Sequence, residues 1–287
     1  MLKNKIKKLI YKPNLYFFDY FRKKLGISKI YIKNSQLKKF KSCSPYSSKY
    51  WNFIVKNKDF LGSKRYCNIC GYRFEKFITV SNVRPREAQC PVCGSLERHR
   101  HLNIFIQSIY PFLEGKKILH FAAESFFKNL FKESGADYYD ADIVKGRASY
   151  QVDMTDMHFE NNTFDYIFAS HVLEHIPNDH LAMSELFRVL KRGGVAYLSV
   201  PLRQEFSEDL TITDPKQRSR LFGLSDHVRY YNLEVFCERL NNAGFNTELI
   251  SGPKSLPAML VREAKLVAEF PFNDTDINDT FVLARKL

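Results

Sequence analysis

Short apolar runs alternate with helical or loop segments through the middle of the chain. Five runs of strand type follow one another, at residues 116–124, 138–143, 152–156, 164–171 and 193–201. Such alternation is typical of βαβ units and a parallel sheet. The pattern therefore predicts an α/β fold that starts near Lys116.

The remaining C-terminal pattern predicts helices, one long insertion and two last strands. Apolar side chains at helical spacing form a stripe on a helix that we expect to end at Gly193 and Gly194. The stripe consists of Leu181, Ala182, Met183, Leu186, Phe187 and Leu190. Residues 202–231 form a long insertion, and loops of this length are usually functional or disordered. A helix is predicted at 233–243, strands at 246–251 and 280–285, and a helix covering the site at 256–270.

Polar side chains cluster where the predicted strands end. They are Glu124, Asp142, Asp153, Ser170 and His171. In open α/β sheets, ligands bind outside the carboxyl ends of the strands, where the strand order reverses. Asp142 lies about 20 residues beyond the first strand, where a carboxylate can accept hydrogen bonds from ribose hydroxyls.

Three motifs in this region carry a resemblance to a known family. They are Asn-Asn-Thr-Phe-Asp-Tyr-Ile at 161–167, Ser-His-Val-Leu-Glu-His-Ile at 170–176, and Glu-Leu-Phe-Arg-Val-Leu-Lys-Arg-Gly-Gly at 185–194. From Lys116 to the C-terminus the chain resembles class I S-adenosylmethionine-dependent methyltransferases of the type 11-like group. The resemblance implies a Rossmann-like, mostly parallel seven-stranded sheet with helices on both faces. It also implies S-adenosyl-L-methionine as cofactor.

The loop after the first strand departs from that family, which usually has glycines there. This chain has Ala122-Ala123-Glu124-Ser125-Phe126. Close approach of the backbone to a cofactor normally favours glycine. A divergent branch with Ala-Pro-Glu at this place, and Asp-His-Val-Arg further on, resembles the chain better than the average member does.

The resemblance implies a role in cofactor binding for residues at the strand ends. Asp142 would bind the ribose hydroxyls, and Asp153 would accept from the adenine amino group, with the Met154 backbone beside it. Ala122 and Glu124 would line the methionine end, and Ser170 would lie beside the cofactor. The alternative for Asp142 and Asp153 is ordinary strand-end polarity.

Two histidines are candidate catalytic bases for a hydroxyl acceptor. His171 follows the fourth strand, and its ordinary pKa suits a base near neutral pH. His227 is the competitor, with Asp226 orienting it and Arg229 binding an acidic group of the substrate. The alternatives are that His171 caps the strand and that Asp226 and Arg229 form an ionic network supporting the loop.

Four of the six cysteines form two close pairs, Cys67 with Cys70 and Cys90 with Cys93. Two Cys-x-x-Cys pairs at this separation predict a closed, structural zinc site of four thiolates, in preference to free thiols. His99 and His101 are expected to be surface residues of a basic stretch and not ligands. A helix is predicted at 95–113.

The excess positive charge lies at the N-terminus. The net charge is +13, and thirteen basic residues but only one acidic residue, Asp19, precede Ser42. Lysine-flanked apolar and aromatic residues up to about residue 25 suit an anionic membrane surface, or alternatively a solvated helix. The segment also resembles N-terminal leaders of bacterial capsule and lipooligosaccharide biosynthetic enzymes, which implies a glycan made at the inner membrane face.

These observations predict three parts: a basic segment and linker at 1–60, a zinc module resembling a zinc ribbon at 61–101, and a methyltransferase domain at 102–287. The leading hypothesis is O-methylation of a sugar or related small acceptor in surface-polysaccharide synthesis. An RNA methyltransferase is the second, although the near-neutral remainder argues against nucleic acid. A non-catalytic binding protein is the third. The chain shows no secretory signal, so a reducing cytoplasm is the expected compartment.

Overall fold

The computed structural model describes residues 57–60, 62, 64–80, 86–251 and 280–287. They belong to two compact units that divide in the sequence between Phe112 and Leu113. The predicted basic segment, except for its last few residues, and the predicted covering helix at 256–270 lie outside the described residues. Within the described residues, no helix is both long and apolar enough to cross a bilayer.

The first unit consists of two short hairpins and a helix. Its elements are a 3-10 turn (Lys58–Phe60), β1 (Arg65–Tyr66), β2 (Arg73–Phe74), β3 (Ile78–Val80), β4 (Arg86–Gln89), α1 (Glu97–Ile109) and a 3-10 turn (Tyr110–Phe112). β1 pairs with β2 and β3 with β4, both antiparallel. Phe74, Phe77 and Val92 form its small core together with the cysteines. The predicted helix at 95–113 is confirmed by α1 and the turn after it.

The second unit is an α/β domain. Its elements are β5 (Lys117–Phe121), α2 (Ser125–Glu133), β6 (Asp137–Asp142), β7 (Tyr150–Gln151), β8 (Phe164–Ser170), a 3-10 turn (Leu173–His175), α3 (Asp179–Val189), β9 (Leu190–Ser199), β10 (Ser207–Glu208), α4 (Pro215–Phe222), β11 (Arg229–Tyr230), α5 (Leu233–Asn242), β12 (Asn246–Ser251) and β13 (Thr280–Arg285).

Seven of these strands form one sheet in the order β12-β13-β9-β8-β5-β6-β7. Strands β9, β8, β5, β6 and β7 run parallel to one another, and β13 is antiparallel to both β12 and β9. The strand order reverses at β5, which lies between β8 and β6. This confirms the predicted Rossmann-like class I methyltransferase fold.

The helix predicted to end at Gly193 and Gly194 ends earlier. α3 ends at Val189, and Leu190 already has extended backbone angles and pairs with Phe164. Both glycines lie inside β9, where Gly193 donates to the Lys286 carbonyl. The stripe of α3 is also narrower than predicted, because Ala182, Met183 and Leu186 are fully buried whereas Leu181 is 45% exposed.

β7, the third strand of this sheet along the chain, lies before the run at 152–156 that was predicted to form it. β7 is Tyr150–Gln151, and it pairs with Ala141 and Asp142 of β6. Residues 152–156 instead form a turn closed by a bridge between Asp153 and Asp156. The chain turns here because Asp153 Oδ1 accepts from the Thr155 N–H, a local hydrogen bond that favours a turn over a strand.

Candidate functional site

The loop after β5 has an unusual backbone conformation. Ala122 has a φ of +48°, and its N–H donates to the Ala141 carbonyl at 2.9 Å. A left-handed conformation is uncommon outside glycine. Glu124 then caps α2, with its Oε2 3.7 Å from Nε2 of the buried His120. The loop therefore makes with alanine a left-handed turn that glycine adopts more readily.

Both predicted nucleoside carboxylates are fixed by local turns at the same edge of the sheet. Asp142 ends β6, and its Oδ1 accepts from the Val144 N–H at 2.8 Å. Asp153 follows β7, and its Oδ1 accepts from the N–H and hydroxyl of Thr155. Met154, directly after Asp153, is buried. Because β5, β6 and β7 are parallel neighbours, their carboxyl ends lie along one edge.

The fourth strand of the candidate site ends in a second strained residue. Ser170 closes β8 and accepts from the Ser199 hydroxyl at 2.9 Å. His171 follows with a φ of +56°, and its N–H donates to the Ser199 carbonyl. Non-glycine residues in this conformation cluster at functional sites.

A buried glutamate lies at the centre of the acceptor side. Glu174 has 0% exposure, and its Oε1 lies 3.4 Å from His171 Nδ1, 3.9 Å from His175 Nε2 and 4.0 Å from His227 Nε2. Burial alone would raise the pKa of Glu174, but the nearby rings of His171 and His175 outweigh it and lower the pKa. The site therefore holds a carboxylate surrounded by imidazoles.

His227 is held differently from the prediction. Its Nδ1 lies 2.9 Å from the Phe222 carbonyl oxygen, while Asp226 is 67% exposed and places Oδ2 3.3 Å from His175 Nδ1. Asp226 thus contacts the ring of His175, and a backbone carbonyl orients His227. Burial lowers the pKa of His227 against the attraction of Glu174, which favours the neutral ring.

Arg229 is fully buried and surrounded by acceptors. Its Nε donates to Glu208, its Nη1 to the carbonyls of Leu173 and Ile176, and its Nη2 to Pro177 at 2.7 Å. These contacts are those expected of the loop-supporting alternative, and the role of Arg229 in substrate binding stays a prediction. Arg229 fixes the turn that carries Glu174 and His175.

The sequence predicts the motif at 170–176 and the motif at 226–229 separately, and it does not predict that they meet. Glu174 and His175 belong to the motif after β8, and His227 belongs to the insertion some fifty residues later. A backbone hydrogen bond from the Val228 N–H to the Glu174 carbonyl joins them. The motif His-Val-Leu-Glu-His at 171–175 is the sequence signal that we identify for this cluster. The third histidine of the cluster, His227, joins it only through the tertiary structure.

The four paired cysteines converge in the first unit. Sγ atoms lie 3.7 Å apart in the pairs Cys67–Cys93 and Cys70–Cys90, and all four fall within 4.8 Å of one another. With zinc–sulfur bonds of about 2.3 Å, a tetrahedral site separates its sulfurs by about 3.8 Å. The spacing therefore fits a zinc ion held by four thiolates.

The two cysteine loops share one backbone pattern. The Gly71 N–H donates to the Cys67 carbonyl, and the Gly94 N–H donates to the Cys90 carbonyl, both from a left-handed conformation. The histidines nearby are not surface residues as predicted, since His99 and His101 are buried in α1. α1 is buried on nearly all sides, including the charged side chain of Arg100, although its sequence is basic.

Residues 111–250 match the family model described as a methyltransferase domain. The matched part runs from the end of the first unit to the last strand before the 252–279 gap in the described residues.

Individual relatives cover only part of the chain. The sterol 24-C-methyltransferase of Yarrowia lipolytica is 31% identical over 121 residues, which are 40% of this chain and 31% of that protein. The sterol 24-C-methyltransferase of Schizosaccharomyces pombe is 36% identical over 97 residues, 33% of this chain and 25% of that protein. The chain thus spans about a third or less of the length of these curated relatives.

Solved structures resemble the chain at lower identity. Phosphoethanolamine N-methyltransferase 2 of Haemonchus contortus, in complex with S-adenosyl-L-methionine, is 18% identical, with a TM-score of 0.44 over 66% of this chain and 52% of that one. That likeness carries no argument about the acceptor. The family match and the curated relatives, together with the strand order, support S-adenosylmethionine-dependent methyltransferase activity for residues 111–250.

Proposed function

We propose that the protein is an S-adenosylmethionine-dependent methyltransferase that methylates a hydroxyl oxygen of a sugar or related small acceptor in bacterial surface-polysaccharide synthesis. One observation carries the methyltransferase part of the proposal. Asp142 and Asp153 hold fixed carboxylates at the carboxyl ends of adjacent parallel strands, beside the point where the strand order reverses. Such an edge suits a nucleoside.

In the proposal the chain holds the cofactor with residues at the four strand ends. Asp142 accepts from the ribose hydroxyls, and Asp153 with the Met154 backbone contacts the adenine. Ala122 and Glu124 contact the methionine part, and Ser170 lies beside it. The left-handed Ala122 supports this assignment, because it turns the chain away at the strand tip as glycine does elsewhere. The cofactor supplies an electrophilic methyl group on a sulfonium.

The acceptor side is assigned to the histidine cluster. His171 is the base that we propose, because its backbone is strained and its Nδ1 faces the buried Glu174. A carboxylate at this position orients an imidazole and stabilises it once it is protonated. His227 is the alternative base, since its buried ring is kept neutral.

We further propose that the four-cysteine module binds structural zinc. The equal Sγ separations and the all-sulfur donor set support this, and four protein ligands leave no coordination position for water. The basic N-terminal segment is proposed to hold the protein at an anionic membrane. Its composition and its likeness to leaders of glycan-synthesis enzymes support that part and the glycan acceptor.

A transfer assay with labelled S-adenosylmethionine tests the function. The full chain is incubated with surface glycan precursors isolated from a strain lacking the gene, and in a parallel arm with total RNA. The proposal predicts label in the glycan that resists mild base, as an ether does, and its loss in His171→Ala. The variant His180→Ala, at an exposed histidine of α3, should retain full activity.

Either of two results would contradict the acceptor assignment. Label in RNA but not in glycan would favour an RNA methyltransferase, and RNA binding would then weaken steeply with salt. Label in neither arm, despite binding of the cofactor, would exclude both acceptor classes tested.

A further inference from the structure

A group of three side chains on the acceptor side has the composition of a metal site. Glu174, His175 and His227 each offer one ligand atom, and these three atoms lie within 4.8 Å of one another. Two nitrogens and one carboxylate oxygen form a ligand set typical of first-row transition metals. The three residues come from the turn after β8 and from the insertion before β11, so the fold brings them together.

Glu174 supplies the strongest reason to expect an ion. Its side chain is fully buried, and neither carboxylate oxygen has a hydrogen-bond partner of good geometry within the described residues. The nearest nitrogen is His171 Nδ1, at 3.4 Å. A buried carboxylate without hydrogen bonds is costly, and buried charges are normally paired or coordinate metals. A cation at this position would satisfy Glu174.

In His175 and His227, the ring nitrogen that faces away from Glu174 has a nearby acceptor. His227 Nδ1 faces the Phe222 carbonyl at 2.9 Å, and His175 Nδ1 faces the Asp226 carboxylate at 3.3 Å. Both acceptors favour the tautomer with the proton on Nδ1, and in that tautomer the lone pair lies on Nε2, the nitrogen on the Glu174 side of each ring. Metal-binding histidines almost always donate their other ring nitrogen to a carbonyl or carboxylate in this way.

The separations allow an ion with little movement. The two Nε2 atoms lie 3.9 and 4.0 Å from Glu174 Oε1. Bonds of about 2.0–2.2 Å require ligand atoms somewhat closer than this, so small rotations of the side chains would complete the shell. His171 and His175 are about one third exposed, which leaves the site open on one side.

We infer that Glu174, His175 and His227 bind a divalent first-row transition cation whose open positions take the acceptor hydroxyl. This inference rests on the proposed function and deepens it, because coordination lowers the pKa of a bound oxygen acid and so favours the nucleophilic form near neutral pH. His171, beside the same carboxylate, receives the hydroxyl proton. The site is separate from the four-cysteine cluster, which belongs to the other unit.

Cobalt(II) is the probe, because its absorption distinguishes the two kinds of ligand. The full chain, purified with zinc and dialysed against chelator, is titrated with Co(II) and followed by calorimetry and visible absorption. We expect one equivalent to bind with ligand-field bands but without the thiolate charge-transfer band that a cysteine site gives. Glu174→Gln should weaken this binding by more than about tenfold, since even outer-shell changes cost 10–100-fold.

The control variant lies in α3, and the supporting variants change the cluster itself or the residue that contacts it. His180→Ala should bind Co(II) like the unchanged protein, because His180 is exposed and lies outside the cluster. Asp226→Asn should show a smaller loss, because it removes only the partner of His175. If Glu174→Gln does not fold, His175→Gln reports instead, since its ring is partly exposed.

Two results would overturn the inference. One is that the unchanged protein binds no Co(II) apart from a species with thiolate absorption. The other is that Glu174→Gln, or His175→Gln in its place, binds Co(II) as tightly as His180→Ala. Binding of S-adenosylhomocysteine is measured on the same samples without added metal. Loss of that binding contradicts the proposed function and leaves the metal result unchanged.

Discussion

Two residues of the candidate site that follow strand ends have strained backbone conformations. Ala122 and His171 adopt left-handed backbone conformations. Such a conformation costs a residue other than glycine about 1–2 kcal/mol of conformational energy. Both follow directly after a parallel strand, at the edge where Asp142 and Asp153 also lie. Strain of this kind persists only where the surrounding structure enforces it.

The backbone at Ala122 leads to the first prediction. Ala122→Gly should change the free energy of unfolding by less than about 1 kcal/mol, because relief of strain offsets the added chain entropy. Ala122→Val should cost about 1–3 kcal/mol, because β-branched residues are poorly tolerated at positive φ. Urea unfolding of both variants measures the difference.

A neighbouring position provides the control. Ala123 does not have a positive φ, so Ala123→Val should cost clearly less than Ala122→Val. Equal costs at the two positions would mean that the volume of the side chain, and not the backbone, limits this loop.

The strands and helices were predicted better than their contacts. The runs 246–251 and 280–285 coincide with β12 and β13, and β8 differs from its prediction by one residue. β8 and β13 are mostly apolar and buried, so their pattern is clear, whereas β12 is partly exposed, with Leu249 40% accessible. The end of α3 was missed because Leu190 suits either a helix or a strand, and pairing with Phe164 decides the matter.

In the candidate site too, positions set by local sequence could be predicted, and contacts between distant segments could not. Residues at the ends of strands, such as Asp142 and Ser170, could be placed at this edge of the sheet from the sequence, because their position depends on local order. The meeting of His227 with Glu174 could not, because it depends on how the insertion returns to the turn after β8. Arg229 could not be assigned to the loop until its carbonyl partners were visible.

Helix α2 is tied to β6 by an ion pair, which gives a second prediction. Lys128 Nζ lies 2.5 Å from Oδ2 of the buried Asp140. Burial would raise the pKa of Asp140, but the hydrogen bonds and charge of Lys128 and Ser149 lower it overall. Asp140→Asn should therefore lower the free energy of unfolding at pH 7 by about 1–3 kcal/mol.

The sign of the pH dependence follows from that lowered pKa. In the unfolded chain the Asp140 carboxyl has a pKa of about 3.9. As the pH falls, this carboxyl therefore binds a proton at a higher pH in the unfolded chain than in the folded protein. The stabilisation is present above this pH and is lost as the pH falls through the lower folded value. The difference between the unchanged protein and Asp140→Asn should shrink at pH 3, whereas exposed Asp137→Asn should differ little at either pH. A difference that grew on acidification would contradict this account.

At the scale of the whole molecule, the chain combines two units with separate chemistry. The first is centred on four cysteines and the second on a parallel sheet. We predict one zinc per chain that survives dialysis against a chelator, because four thiolates form a closed site.

Cys90→Ser should lose this zinc, measured by elemental analysis. The matched control is Cys237→Ser, because Cys237 is also a free cysteine but lies in α5, outside the cluster. Zinc that remained in Cys90→Ser, or its loss in Cys237→Ser, would contradict the assignment. Far-ultraviolet circular dichroism at matched concentration checks that the second unit stays folded.

Calorimetry of the full chain with S-adenosylhomocysteine tests the central claim most directly. We predict one ligand per chain, binding at least about tenfold weaker in Asp142→Asn, and unchanged binding in Asp137→Asn, which alters the opposite end of the same strand. The account would be contradicted if the unchanged protein bound no ligand, or if Asp142→Asn bound as tightly as Asp137→Asn.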